Sequence, residues 1–200
     1  MTAASSTPYF GLGLGSDTKR PMAPRQSNGA LRALLRLFIL IIALPVVIAV
    51  VIPVYLARRC GATLAAPTNF GAALVQGLGA LVLVIGLALF VSAVYQIVAR
   101  RHTSLAPWDP PRHLVIRGAY RWVRNPMISG VLFVLIGEVL LLRSLPHAVL
   151  VLVFLLLAVA YIRLLDEPQI EARFGDEYRR YRQHVSRLLP RARPWNPDTE

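Results

Sequence analysis

The sequence predicts an all-α, polytopic membrane protein. About four transmembrane helices are expected, with a C-terminal helical hairpin and an amphipathic C-terminal helix on the cytoplasmic face. Three observations carry this prediction. Of 200 residues, 56% are hydrophobic and only 16% charged, whereas a soluble domain carries about 25% charged residues. Four uncharged or nearly uncharged runs approach or exceed the ~20 residues that cross a ~30 Å hydrocarbon core. The net charge of +12 lies at the borders of those runs. A nucleic-acid-binding module would instead spread its basic residues over a polar surface, so no nucleic-acid partner is expected.

The first 30 residues, rich in Gly, Ser, Thr and Pro, read as a disordered cytoplasmic leader. Residues 31–99 form the first two spans. Leu37 to Ala57 carries no charge and holds Pro45 and Pro53, which membrane helices accept when neighbours satisfy the freed carbonyls. The polar segment before it is too long, and no small-residue cleavage pattern follows, so an anchor is expected rather than a signal peptide. Phe70 to Ala99 is the second span. Its Gly77, Gly79 and Gly86 predict close helix packing, and Gln76 and Gln96 are its long polar side chains.

Residues 100–200 hold a loop, a hairpin over 126–165 and an amphipathic tail. Met127 to Leu142 and Ala148 to Leu165 are joined at Arg143-Ser144-Leu145-Pro146-His147, a tight turn between antiparallel helices. Four spans leave both termini on one side. The N-terminal segment, the middle loop and the tail hold 19 Lys and Arg, and the two opposite connections hold three. By the positive-inside rule the termini and middle loop are cytoplasmic, in an integral membrane protein expected in a bacterial inner membrane.

Cys60 is the only cysteine, so no intramolecular disulfide forms. His102, His113, His147 and His184 show no HxxxH or HExxH spacing, and no metal is expected. Glu138, in the middle of the third span, costs a few kcal/mol unless paired, hydrated or protonated. It is a functional candidate, or a glutamate that joins its helix to a neighbour through Gln76 or Gln96.

Two places mark a site. The loop running into the third span is rich in aromatics and arginine, and it ends at Asn125-Pro126. Pro126 suits the first helical position, which puts Asn125 at the N-cap, beside free amide donors that favour an anion. At the end of the fourth span stand Asp166 and Glu167. Adjacent acids there are either a topological stop or part of a site, and the hairpin returns them to the face that holds Asn125. Beyond them Ile170, Phe174, Tyr178, Tyr181, Val185 and Leu188 recur at spacings of three and four. This stripe suits a helix on an anionic bilayer, or a lid packed over the hairpin. Gly175 interrupts it, a cost of about 1 kcal/mol to an isolated helix.

The segments Gly118-Ala119-Tyr120-Arg121-Trp122-Val123-Arg124-Asn125-Pro126-Met127-Ile128-Ser129-Gly130 and Asp166-Glu167-Pro168, with Phe174-Gly175-Asp176-Glu177-Tyr178 following, resemble the isoprenylcysteine carboxyl methyltransferase family and the related phospholipid N-methyltransferases. The resemblance covers roughly His113 to Pro190. It implies a membrane methyltransferase that uses S-adenosylmethionine and has no Rossmann domain. It also implies a cofactor held on the cytoplasmic side by His113, Leu114, Val115 and Ile116 of the loop, Tyr120, the run Asn125, Pro126, Met127 and Ile128, and the acids Asp166 and Glu167. Three positions depart from the family pattern. Asn125 replaces a histidine and Ile128 a tyrosine, while Asp166 replaces a glutamate with a shorter reach. The implied acceptor is a lipid or prenylated group drawn from the membrane, either a carboxylate or a phospholipid amine. Arg163 and Arg173 are candidates for a substrate anion, since arginine binds carboxylate and phosphate bidentately. No catalytic base is assigned. A non-catalytic membrane protein of the same fold, suggested by Asn125 and Ile128, and a transporter subunit, suggested by Glu138, are the competing readings.

Overall fold

The computed structural model describes residues 43–103, 114 and 116–196. The leader, the start of the first span, most of the middle loop, and His113 and Val115 among the expected cofactor contacts lie outside the described residues. Within them the chain forms helices and connecting turns with no strand. Helix α1 is Ala43–Cys60, α2 is Phe70–Thr103, α3 is Pro126–Leu142, α4 is Leu145–Phe174 and α5 is Asp176–His184. Helices α1, α2 and α4 are long and apolar enough to cross a membrane, and α3 is a shorter apolar helix. The fold is all-helical and polytopic, as the apolar runs predict.

Helix α3 is the innermost element. Ser129 to Leu132, Val134, Leu135 and Gly137 are buried on it, whereas α2 and α4 present Leu78, Leu81, Val84, Leu156 and Leu157 outward. Its 17 residues span about 25 Å at 1.5 Å per residue, less than a bilayer core. Its neighbours cover the difference. Val131, Val134 and Leu135 pack with Ala49 of α1, Phe90 of α2, and Leu150 and Phe154 of α4.

Glycines set the approach of α2 to α3. A Cβ placed on Gly86 would lie 2.6 Å from the Val134 nitrogen and 2.8 Å from the Gly130 oxygen. One placed on Gly79 would lie 3.1 Å from the Gly137 oxygen. The two helices therefore meet through a heptad-spaced pair of glycines on each side. Gly79 and Gly86 serve the packing expected of them. Gly77 does not, since nothing lies within 4 Å of a Cβ there.

Two π-helical turns interrupt the long helices, Val47–Val51 in α1 and Ile162–Asp166 in α4. Each is followed two residues later by a proline, Pro53 and Pro168 respectively. Proline has no N–H to donate to residue i−4 and its ring crowds that carbonyl. In both helices the carbonyl concerned, Ala49 or Leu164, falls within the widened turn. The extra residue in each turn rotates everything downstream by about 100° relative to a continuous α-helix.

The α3–α4 connection is as tight as expected. Arg143 takes a left-handed conformation (φ 50°) and Ser144 is extended. The Arg143 Nη2 donates to the Ala72 oxygen at 3.2 Å, tying this turn to the start of α2. Nearby, buried His147 donates from Nε2 to the Pro53 carbonyl at 3.2 Å.

The tail departs from a single amphipathic helix. Helix α4 runs on past the apolar segment to Phe174, Gly175 breaks it at φ 52° and ψ −121°, and α5 ends at His184. Val185 is already extended, so Leu188 lies beyond the helix. The stripe does not face outward. Tyr178, Tyr181, Val185 and Trp195 form a buried cluster with Leu114, Ile116, Ile170 and Phe174.

Candidate functional site

The second apolar cluster folds the tail against the segment that leads into α3. Gly118–Arg121 makes one 3₁₀ turn, and Gly118 has φ +56° with the Gln96 amide against its open side. In the amide orientation that satisfies both its ends, Gln96 donates to the Arg117 oxygen at 2.6 Å and accepts from the Ala119 N–H at 3.0 Å. Gln96 thus fixes the loop to α2, and Gln76 donates to the Ala65 oxygen. Neither is paired with Glu138, whose Oε2 is buried without a hydrogen-bond partner.

After α5 the chain runs alongside residues 121–124. The Arg124 N–H donates to the Ser186 oxygen, the Arg191 N–H to the Trp122 oxygen and the Trp195 N–H to the Arg121 oxygen, each at 2.9 Å. The Arg121 Nε returns a bond to the Trp195 oxygen at 2.9 Å. Trp195 stacks on His184 with ring centroids 5.0 Å apart. The Tyr181 hydroxyl donates to the Tyr120 oxygen at 2.6 Å. The tail is therefore packed as a cover on the loop, one of the two arrangements that its stripe allows.

At the centre stands Glu167, 7% exposed. Arg124 donates from Nη1 to its Oε1 at 2.8 Å. Arg187 donates from Nε to Oε1 and from Nη2 to Oε2, both at 2.8 Å. The Arg124 Nη1 also reaches the Tyr178 hydroxyl at 3.2 Å. One carboxylate thus ties together the approach to α3, helix α4 and the tail. It holds the Arg187 guanidinium above its ordinary value, chiefly through their hydrogen bond. Burial pushes the Tyr178 hydroxyl up, with Glu167 and Asp166 adding to the rise and Arg124 opposing it.

The contact between Arg124 and Glu167 brings together the two motifs that the hairpin was expected to unite. Asn125 and Asp166 are the adjoining residues. Asn125 is the N-cap of α3 in position, but its side chain makes no capping bond. Its Nδ2 instead faces the Arg187 oxygen at 3.5 Å. Pro126 is buried at the first helical position, while Met127 and Ile128 are partly buried. Leu114 and Ile116 join the aromatic cluster, and the Leu114 N–H donates to Glu177 Oε2 at 2.8 Å. Asp166, on the last residue of the π turn, is half-buried and makes no hydrogen bond among the described residues. The two acids therefore differ. Glu167 is saturated, and Asp166 is open.

Arg163 and Arg173 are not brought together. Arg163 lines a cleft with Glu167, Glu171, Arg179 and Arg182. Arg173 lies over the Phe174 ring, 5.1 Å from its centre. Sequence reasoning counted Arg187 only as topological charge and passed over Trp195. Arg124 stood inside a recognisable motif, but no spacing marked Arg187 or Trp195. Among the described residues no group of His, Cys, Asp and Glu could hold a metal ion.

A polytopic helical membrane protein with an arginine–carboxylate site at the end of its central hairpin is what the fold and site define. Residues 74–177, just over half the chain, match the phospholipid methyltransferase family, and the chain belongs to that family. It is thus an integral membrane methyltransferase of the kind that acts on lipid-type acceptors, and methyltransferases of this family generally use S-adenosylmethionine. The match begins inside α2 and ends inside α5. It supports the membrane methyltransferase class that the motifs implied, while the likeness to the isoprenylcysteine carboxyl methyltransferases rests on motif residues alone. Neither the curated proteins nor the solved structures give a significant match.

Proposed function

We propose that this protein transfers a methyl group from S-adenosylmethionine to the amine of a phospholipid headgroup, with the cofactor held on the cytoplasmic side of the membrane. The observation that carries this reading is the division of labour between Asp166 and Glu167. The donor set suits the cofactor. An open carboxylate accepts hydrogen bonds from ribose hydroxyls or an ammonium group, and the free amides at the start of α3 suit a carboxylate. Asp166 is the proposed direct contact, with Asn125, Pro126, Met127 and Ile128 at the helix start. Tyr120, Leu114 and Ile116, with His113 and Val115 beside them, would flank the apolar part.

Bound there, S-adenosylmethionine supplies a methyl group on a positively charged sulfur. The residues of the chain then have two tasks. Glu167 acts through Arg124 and Arg187, which hold the tail over the loop and set the carbonyl that Asn125 faces. The tail, through Tyr181 and Trp195, keeps water from one side of the site, and alignment and exclusion of water supply most of the acceleration. Residues 100–200 form the proposed working core, with α2 packed against it.

The test is transfer of labelled methyl groups from the cofactor to a total lipid extract, with phosphatidylethanolamine and a prenylated cysteine as defined acceptors. Label in the phospholipid amine is expected. Label confined to the prenylated carboxylate would assign the carboxyl reaction instead. Label in neither, from folded protein, overturns the enzyme reading.

A further inference from the structure

The cleft beside the site carries chemistry that the methyl-transfer reading does not use. Its volume is about 380 Å³, and Arg163, Glu167, Glu171, Arg179 and Arg182 line it. Both carboxylates are already neutralised. Glu167 is bound by Arg124 and Arg187. Glu171 accepts from Arg179 Nε on one oxygen at 2.8 Å and from Arg182 Nη1 on the other at 3.1 Å. Arg179 also pairs with Asp176. Arg163 makes no ion pair among the described residues and is exposed.

Arg163 sits in the π turn at the end of the apolar part of α4. It is followed by Leu164 and Leu165, which are 73% and 51% exposed. Large apolar side chains facing outward in a spanning helix face lipid, and an arginine at the helix end reaches the headgroup level. The mouth of the cleft therefore lies where lipid phosphates lie. Arg179 and Arg182 stand on its far wall with 59% and 45% of their side chains accessible.

We propose that this cleft is a binding site for the phosphodiester of an acidic phospholipid, a lipid distinct from the methyl acceptor, with Arg163 as its principal ligand and Arg179 and Arg182 completing the cationic wall. The charge balance selects the lipid class. A zwitterionic headgroup would bring its ammonium among arginines and find no free carboxylate in the lining of the cleft, where Glu167 and Glu171 are both engaged and Asp166 is not included. A headgroup with a phosphodiester and no cation meets Arg163, which no carboxylate among the described residues pairs. Guanidinium groups donate to phosphate bidentately, and charge-assisted bonds of this kind are stronger than those between neutral groups.

The test is native mass spectrometry of the intact protein in a non-ionic detergent. It is titrated in separate arms with short-chain phosphatidylglycerol, short-chain phosphatidylcholine and inorganic phosphate. A saturable one-to-one adduct with phosphatidylglycerol is expected, and Arg163→Gln should weaken it about tenfold, the equivalent of one such bond. Arg59→Gln, at the far end of α1, should leave it unchanged. The proposal is overturned if Arg163→Gln binds phosphatidylglycerol as well as the parent does, or if phosphatidylcholine binds equally well. Inorganic phosphate binding as tightly as the lipid would overturn the lipid source. None of these readouts requires turnover, so they stand apart from the methyltransferase assay.

Discussion

Asp166 and Glu167 are neighbours along α4, yet their surroundings ask different things of them. Glu167 is buried among Arg124 and Arg187, and both its oxygens are engaged. Removing one partner of a buried pair typically costs about 3–5 kcal/mol, because the remaining charge is left uncompensated. Glu167→Gln keeps the shape but strands two arginines, so the folded protein should lose roughly 3 kcal/mol, read as an earlier unfolding transition in detergent. Asp166→Asn touches no partner among the described residues and should change stability by less than about 0.5 kcal/mol. It should nonetheless lose the cofactor. The sequence marked this acidic pair as a unit. Neighbouring helical residues point about 100° apart, and the π turn Ile162–Asp166 that ends at this pair adds a rotation that a simple helical projection does not contain.

Helix packing depends on the interlocked glycines of α2 and α3. Gly86→Val should push against the backbone of α3, where a Cβ would already lie 2.6 Å from the Val134 nitrogen. A loss of about 1–3 kcal/mol, typical of overpacking, is expected as a lower melting temperature. Gly77→Ala meets nothing within 4 Å and should be tolerated. Gly175 makes a different case, because a Cβ there also meets nothing, and the penalty of Gly175→Ala lies in the backbone at φ 52° and ψ −121°. Strain of this kind costs about 1–3 kcal/mol, and it should appear as faster proteolysis of the tail. The apolar runs and glycines of α2 were readable because membrane helices obey simple length and packing rules. The tail was readable only in part. Its stripe showed that one face is apolar, but a stripe cannot say whether lipid or protein covers that face. Of the residues that decide it, Trp195 lies beyond the periodic stretch and Arg187 falls between its apolar positions.

For the whole molecule, the distribution of 19 Lys and Arg on one side against three on the other predicts both termini and the site in the cytoplasm. The single cysteine offers a clean probe. Cys60 is exposed at the end of α1, so a membrane-impermeant maleimide should label it from outside in intact cells. Labelling only after lysis would reverse the orientation. Charge asymmetry acts over the whole chain, so an expected topology can be drawn from sequence, whereas the site depends on a few contacts between segments distant in sequence. The most direct test of the central claim is binding of S-adenosylmethionine to purified, folded protein, measured by isothermal titration calorimetry. The prediction is a saturable single site in the parent protein that disappears in Asp166→Asn while the melting temperature holds. Binding that survives Asp166→Asn would contradict the assigned pocket, and folded parent protein that shows no saturable binding would contradict the account.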